Sequence, residues 1–265
     1  MTMGAGTRLA LGLATVAILA FIYLPIALIF VYAFNAGATP SWPPVGFTLH
    51  WFFVATANTG LQQAFATSVA VAVFASAIAL VLGTLLSLAV SRHRFFGREA
   101  VSLLVIFPIA LPGIVTGMAL STTFAQIDVP LGFLTIVVGH ATFCIVLVYN
   151  NAIARLRRTG GSLEEASADL GADTWTTFRY ITLPTLRTAL VAGALLAFAL
   201  SFDEVIVTIF TAGGVKTLPI WIFQSFRLAN QVPVVNVAGL VAILLSVVPV
   251  YIAQRLTGAE TAGIR

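Results

Sequence analysis

Ser162-Leu163-Glu164-Glu165-Ala166-Ser167-Ala168-Asp169-Leu170-Gly171 opens a polar stretch that closes at Ile181-Thr182-Leu183-Pro184. Apolar runs flank it, residues 132–154 before and 188–211 after. Short polar turns suffice to join membrane helices, so a charged, helix-forming segment of this length is more than a connection. Something outside the bilayer is expected to grip it. Ser162 with Glu165 three residues later is a capping-box pattern. Leu163, Ala166 and Leu170 recur on one face at helical spacing. Gly171 ends that helix, because glycine tolerates the left-handed geometry common at helix termini. A second short helix carries Trp175 and Phe178 on one side. Pro184 falls in the first turn of the next run, where its missing N–H does least harm.

Working outward, the rest of the chain is made for lipid. Hydrophobic residues are 60% of the 265 and charged residues 8%, with a mean hydropathy of +1.05. A soluble domain carries about a quarter charged residues, so this is an integral membrane protein. No Asp, Glu, Lys or Arg occurs between Arg8 and Arg92. Six apolar runs, approximately 9–34, 64–90, 100–125, 132–154, 188–211 and 232–253, each approach the roughly 20 residues needed to cross the hydrocarbon core. Lipid leaves backbone groups to be satisfied within their own segment, which selects helices. The expectation is an all-α protein of six transmembrane helices, one transmembrane domain over residues 1–265, with a polar loop at 155–187.

Arginines set the orientation. With the N-terminus in the cytoplasm, the inner side holds Arg8, Arg92, Arg94, Arg98, Arg155, Arg157, Arg158, Arg179, Arg187, Arg255 and Arg265. The outer side holds only Lys216 and Arg227. This asymmetry puts both termini and the polar stretch on the cytoplasmic side. It also accounts for a pI near 9.7 without nucleic acid, since loop arginines meet an anionic leaflet.

Other features place smaller pieces. Pro108, Pro112, Gly113 and Gly117 should kink or locally unwind the third run. Residues 218–226 form an apolar stretch expected to lie flat on the membrane or dip into it. Trp42, Trp51 and Trp221 are read as interfacial anchors. Cys144 is the one cysteine, so neither a disulfide nor a thiolate metal site forms within one chain. His140, inside the fourth run, is read as a hydrogen-bonded packing residue. His50 and His93 make no metal-ligand pattern, and Asp128 is read as a solvated loop residue. With no nucleophile–base constellation and no phosphate-binding glycine loop, the chain is expected not to be an enzyme and not to hydrolyse ATP itself.

The spacing Glu165-Ala166-Ser167, three residues, Gly171, nine residues, Ile181, one residue, Leu183-Pro184 resembles the signature of the permease subunits of binding-protein-dependent ABC importers. The one departure is Ser167, where the family usually has alanine. Residues 107–117, 137–143 and 200–205 look like the spermidine/putrescine-type permeases within it. The resemblance implies a type I importer fold in the bacterial inner membrane. It implies a second, homologous permease, two ATP-binding subunits that take ATP and Mg and dock on Ser162–Pro184, and an extracytoplasmic solute-binding protein. It implies no cofactor on this chain.

Asp203 and Glu204 lie in the fifth run, and ionisable residues at such depth face a cavity, a partner or a pathway. Ser201, Glu204, Thr208 and Thr211 recur at helical spacing as a polar stripe. The stripe is expected to face the second permease, where Glu204, Asp203, Ser201 and Thr208 would serve a pathway or gate. Carboxylates there suit a cationic polyamine such as putrescine or spermidine. The alternatives are pairing with Lys216 or with a partner's cation, import of another amine or an iron complex, and an ion-coupled secondary transporter using Asp203, Glu204 and His140.

Overall fold

A computed structural model describes residues 4–262. Arg265, counted above on the inner side, and both chain ends lie outside them. The elements are helices: α1 (Ala5–Ala33), α2 (His50–Ala57), α3 (Thr59–Arg92), α4 (Arg98–Ala110), α5 (Gly113–Gln126), α6 (Phe133–Thr159), α7 (Ser162–Asp169), α8 (Thr174–Thr177), a π turn (Phe178–Thr182), α9 (Leu183–Phe202), α10 (Ile206–Thr211), α11 (Leu218–Ser225) and α12 (Val232–Ala262). Among the described residues, five helical runs are long and apolar enough to cross a membrane: Gly6–Ala33, Thr59–Arg92, Phe133–Thr159, Thr174–Phe202 and Ala229–Leu256.

A sixth span exists if α4 and α5 are taken together, but they are bent by 104°. The cause is local. Leu111 is extended, with ψ 146°, because a residue preceding proline is driven out of α geometry. Pro112, which has no N–H to give α4, then caps α5. The kink expected from the prolines is therefore a bend of more than a right angle.

Contacts among the described residues form two compact units, one up to residue 61 with 222–243, the other 62–221 with the residues from 244. In the first unit the Phe34 ring lies between those of Phe30 and Phe52, at centroid distances of 5.3 and 4.9 Å. Trp51 Nε1 donates to the Asn35 carbonyl at 3.0 Å, which pins α2 to the end of α1.

In the second unit α6 is the central helix. Ile136, Cys144, Val146, Val148 and Ala152 on it are fully buried. Glycines let its neighbours close in: a Cβ on Gly83 of α3 would stand 2.9 Å from Val148 Cβ, and one on Gly193 of α9 would stand 3.1 Å from Val148 Cα. Lipid provides no hydrophobic drive between helices, so such close backbone approach is a main source of cohesion. Polar links add to it. Tyr149 donates to Ser102 Oγ at 3.0 Å, and Arg155 Nε donates to the Thr185 carbonyl at 3.1 Å.

Two sequence expectations need correcting. Trp221 is 7% exposed, so it is buried in the protein instead of anchoring at an interface. The start of α11 is likewise held down, with Leu218 N donating to Ser68 Oγ at 2.8 Å and Leu218 and Ile220 buried. That end of α11 packs on α3 rather than lying free on the membrane.

Candidate functional site

The fifth run is not one helix. α9 ends at Phe202, Asp203 caps it, and α10 begins at Ile206. No proline or glycine marks this break; bonds made on either side of it hold it open. Glu204 Oε1 accepts from Val207 N at 2.9 Å, so the Glu204 side chain caps α10. At the other end of α10 the Thr135 hydroxyl donates to the Thr211 carbonyl at 2.7 Å.

His140 of α6 bridges the gap. Its Nδ1 lies 2.8 Å from Ser201 Oγ, on the α9 side, and its Nε2 lies 2.8 Å from Thr208 Oγ1, on the α10 side. The Thr208 proton goes to the Glu204 carbonyl at 2.7 Å, so this hydroxyl accepts from Nε2–H. Nδ1 and Ser201 Oγ share the second bond. His140, Ser201 and Thr208 are all buried.

This geometry corrects the expected orientation of the polar stripe. Ser201, Thr208 and Thr211 are 2%, 0% and 0% exposed and turn into the chain's own interior. A helical wheel identifies a polar face but not the neighbour it meets, and here the neighbours are His140 and the helix's own carbonyls. Asp203 is exposed and Glu204 half-buried. No ion pair joins either carboxylate to a cation of the described chain, so pairing with Lys216 does not occur.

Both broken runs meet at glycines. A Cβ on Gly113, the first residue of α5, would stand 3.4 Å from Ile206 Cγ2, at the first residue of α10. On Gly117 it would reach 2.7 Å from Phe210 Cδ2, and on Gly139 of α6 it would reach 3.2 Å from Val207 Cγ1. The half-helix α10 thus sits in a notch cut by three glycines. Gly139 was not singled out from sequence, since a lone glycine in an apolar helix carries no local signal.

The polar stretch folds as a knob. Gly171 adopts φ 83° and separates α7 from α8. Asp173 caps α8 by accepting from Thr176 N at 2.7 Å; bonds from the Thr176 side chain and amide hold its carboxyl below the usual range. The expected capping box is absent: α7 begins at Ser162 with Gly161 as its N-cap and no side-chain cap bond. Ser162 is therefore inside the helix, one residue too late to cap it. Ser167 Oγ lies 2.9 Å from Thr177 Oγ1, so the residue that departs from the motif ties α7 to α8 by a bond alanine cannot make.

Glu165 and Ala166 are exposed, Ile181 and Leu183 half-buried, and Pro184 exposed. Pro184 stands at the start of α9, directly after the π turn. The wider turn accommodates a residue with no N–H for the preceding carbonyls, and helix runs through from Thr174. Apolar side chains on the knob are uncovered: Leu163 is 57% exposed, Leu170 89% and Trp175 68%. Sequence reading passed over Glu164, whose carboxylate meets Arg92 and Thr182. Arg92 is 72 positions away, and no local pattern announces such a contact.

Residues 79–259, which include the knob and both breaks, match the family described as binding-protein-dependent transport system inner membrane component. The chain belongs to that family. This permease is 33% identical over 249 residues to the spermidine/putrescine transport system permease protein PotC of Escherichia coli (strain K12), covering 93% of each chain. It is 32% identical over 217 residues to the putrescine transport system permease protein PotI of the same strain, covering 78% of this chain and 76% of that one. Its fold matches that of a chain of a bacterial alginate ABC transporter, solved with an alginate pentasaccharide-bound periplasmic protein, with a TM-score of 0.72 at 15% identity over 96% of this chain and 95% of that one. The permease is thus a multi-pass inner-membrane protein with the importer permease fold.

Proposed function

We propose that this permease forms half of a polyamine pathway, paired with a second, homologous permease and driven by two separate ATP-binding subunits. The observation that carries the coupling half of this reading is the knob's uncovered apolar face. Leu163, Leu170 and Trp175 are exposed on short helices that project from the spans, which suits a groove on a partner. The arginine asymmetry supports a cytoplasmic knob and cytoplasmic termini, on the side where ATP and Mg would be bound by the partner and not by this chain. A loaded extracytoplasmic binding protein would deliver solute from the opposite side.

Cargo is argued from the acids and the relatives. Asp203 is an exposed carboxylate in a membrane-embedded break, and Glu204 lies beside it. Charges at such depth face water, a partner or a pathway, and a cationic amine is attracted strongly where water is scarce. Relatives named for spermidine and putrescine point to the same class. The mechanism is alternating access: ATP binding closes the ATPase pair, the knobs move together and the pathway opens outward. Hydrolysis then resets it.

The test is ATP hydrolysis by the lipid-reconstituted complex, with its binding protein loaded in turn with putrescine, spermidine, other amines or an iron complex. Stimulation by a polyamine is expected. Stimulation only by another solute removes the polyamine and keeps the importer. Uptake without any associated ATPase, driven by an ion gradient, overturns the coupling reading.

A further inference from the structure

Glu164 and Glu165 are neighbours with different fates. Glu165 is exposed and has no ion pair within the described chain, which leaves it to a partner. Glu164 is only 21% exposed and pairs with the Arg92 guanidinium: Nη2 donates to Oε1 at 3.1 Å, and Nε stands 2.6 Å from Oε2 as an ion-pair contact without hydrogen-bond alignment. The same Oε1 accepts from the Thr182 hydroxyl at 2.8 Å. Arg92 is the last residue of α3, and Thr182 ends the π turn that leads into α9. One carboxylate on the knob therefore binds the ends of two membrane helices.

The covalent connections of α7 are compliant by comparison. Gly160 (φ 64°) and Gly161 precede it and Gly171 (φ 83°) follows it, and glycine is the residue with most backbone freedom. A helix hinged at both ends transmits a push poorly through its backbone. A half-buried guanidinium held against a carboxylate by one charge-assisted hydrogen bond and a close ion-pair contact resists displacement, since separating them would leave both charges poorly compensated. The π turn holding Thr182 is a geometry found frequently at functional sites.

We propose that Arg92, Glu164 and Thr182 form a clamp that carries movement of α7 into α3 as well as into α9. Arg92 and Glu164 are then positioning residues for ATP coupling, distinct from the docking residues of the knob. The inference rests on the reading of the knob as the ATPase-docking element, but the clamp itself is measurable without transport.

The experiment uses the full complex in lipid, with spin labels at His93→Cys, one residue past α3, and Ala168→Cys, on the opposite face of α7 from Leu163 and Leu170. A single narrow distance distribution is expected. Glu164→Gln and Arg92→Ala should broaden it, and should lower solute moved per ATP hydrolysed by about three- to tenfold, while the ATPase still co-purifies. The exchange Arg92→Glu with Glu164→Arg should restore both readouts in part. Arg92→Lys, which keeps charge but loses the fork, gives an intermediate and serves if the alanine variant does not assemble. An unchanged distribution in Glu164→Gln and Arg92→Lys, or an unchanged transport-to-ATP ratio once the distribution has broadened, overturns the clamp. A wild-type complex without ATP-driven uptake would instead strike the transport reading, and the distance distribution would still decide the clamp.

Discussion

His140 Nε2 stands 2.8 Å from the hydroxyl of Thr208, across a break in the helix that carries Thr208. Because Nδ1 reaches Ser201 on the near side at the same distance, a single imidazole fixes the separation of α9 and α10. The unwound turn at 203–205 is thereby set by tertiary bonds and not by its own residues. A change at His140 should accordingly act on the position of Asp203 and Glu204 without touching either.

His140→Ala removes a buried ring, leaves the Ser201 hydroxyl without its partner and takes from Thr208 one of its two bonds. The loss should be about 2–4 kcal/mol. The cavity supplies the larger share, because interhelical hydrogen bonds in membranes average about 0.6 kcal/mol. The thermal unfolding midpoint of the purified complex checks this, with His140→Gln expected between wild type and alanine. A wild-type midpoint in His140→Ala would mean that the bridge is not structural.

Gly117→Ala probes the notch that holds α10. Its Cβ would land 2.7 Å from Phe210 Cδ2 and 3.1 Å from Phe210 Cβ, so ring and backbone must both move. Overpacking of this kind costs about 1–3 kcal/mol. Gly214→Ala meets nothing within 4 Å and should leave the midpoint unchanged. Phe210→Ala combined with Gly117→Ala should recover part of the overpacking loss seen when Gly117→Ala is made alone. Equal effects at positions 117 and 214 would show that packing against Phe210 is not the cause.

Legibility in the sequence followed the range of the interaction. The apolar runs could be read because each satisfies its own backbone, and the bend before α5 because Leu111-Pro112 enforces it locally. The knob's helix–glycine–helix form follows from residues a few positions apart. The break at 203–205 was hidden inside a continuous apolar run, since what opens it is His140, more than sixty positions away from Ser201 in the chain. For the same reason the polar stripe was assigned to a partner's surface when Ser201 and Thr208 face α6. Arg92 was read only as an inner-side charge, and its carboxylate partner came from a segment whose pattern advertised Glu165.

Gly171→Ala isolates the turn of the knob. Nothing lies within 4 Å of the added Cβ, but φ is 83°, so the penalty is backbone strain of about 1 kcal/mol. The spans should keep their unfolding midpoint, while solute-stimulated ATP hydrolysis falls. Gly171→Asn should be milder, since asparagine visits the left-handed region more readily. Ser167→Ala loses the bond to Thr177, yet should transport almost as wild type, because one half-buried hydroxyl bond contributes about 0.5–1.5 kcal/mol at most. Loss of transport in Ser167→Ala with normal coupling in Gly171→Ala would reverse this ranking.

The two acids of the break are separable because one of them has a structural duty. Glu204→Ala removes the cap on Val207 N and should cost about 1 kcal/mol; Glu204→Gln keeps an acceptor oxygen and should hold the midpoint near wild type. Asp203 has no such bond to lose and is exposed, so Asp203→Asn is a change of charge with little change of fold. If a cationic solute passes this turn, Asp203→Asn should lower putrescine uptake at limiting concentration by about tenfold, the equivalent of about 1.4 kcal/mol of lost attraction. Glu204→Gln should lower it less, since its carboxylate is already engaged with α10, and uptake by Glu204→Ala should fall with its stability as well as its charge. Uptake by Asp203→Asn at the wild-type rate would exclude contact between this carboxylate and the cargo, and leave the break as a hinge whose acids serve the helix alone.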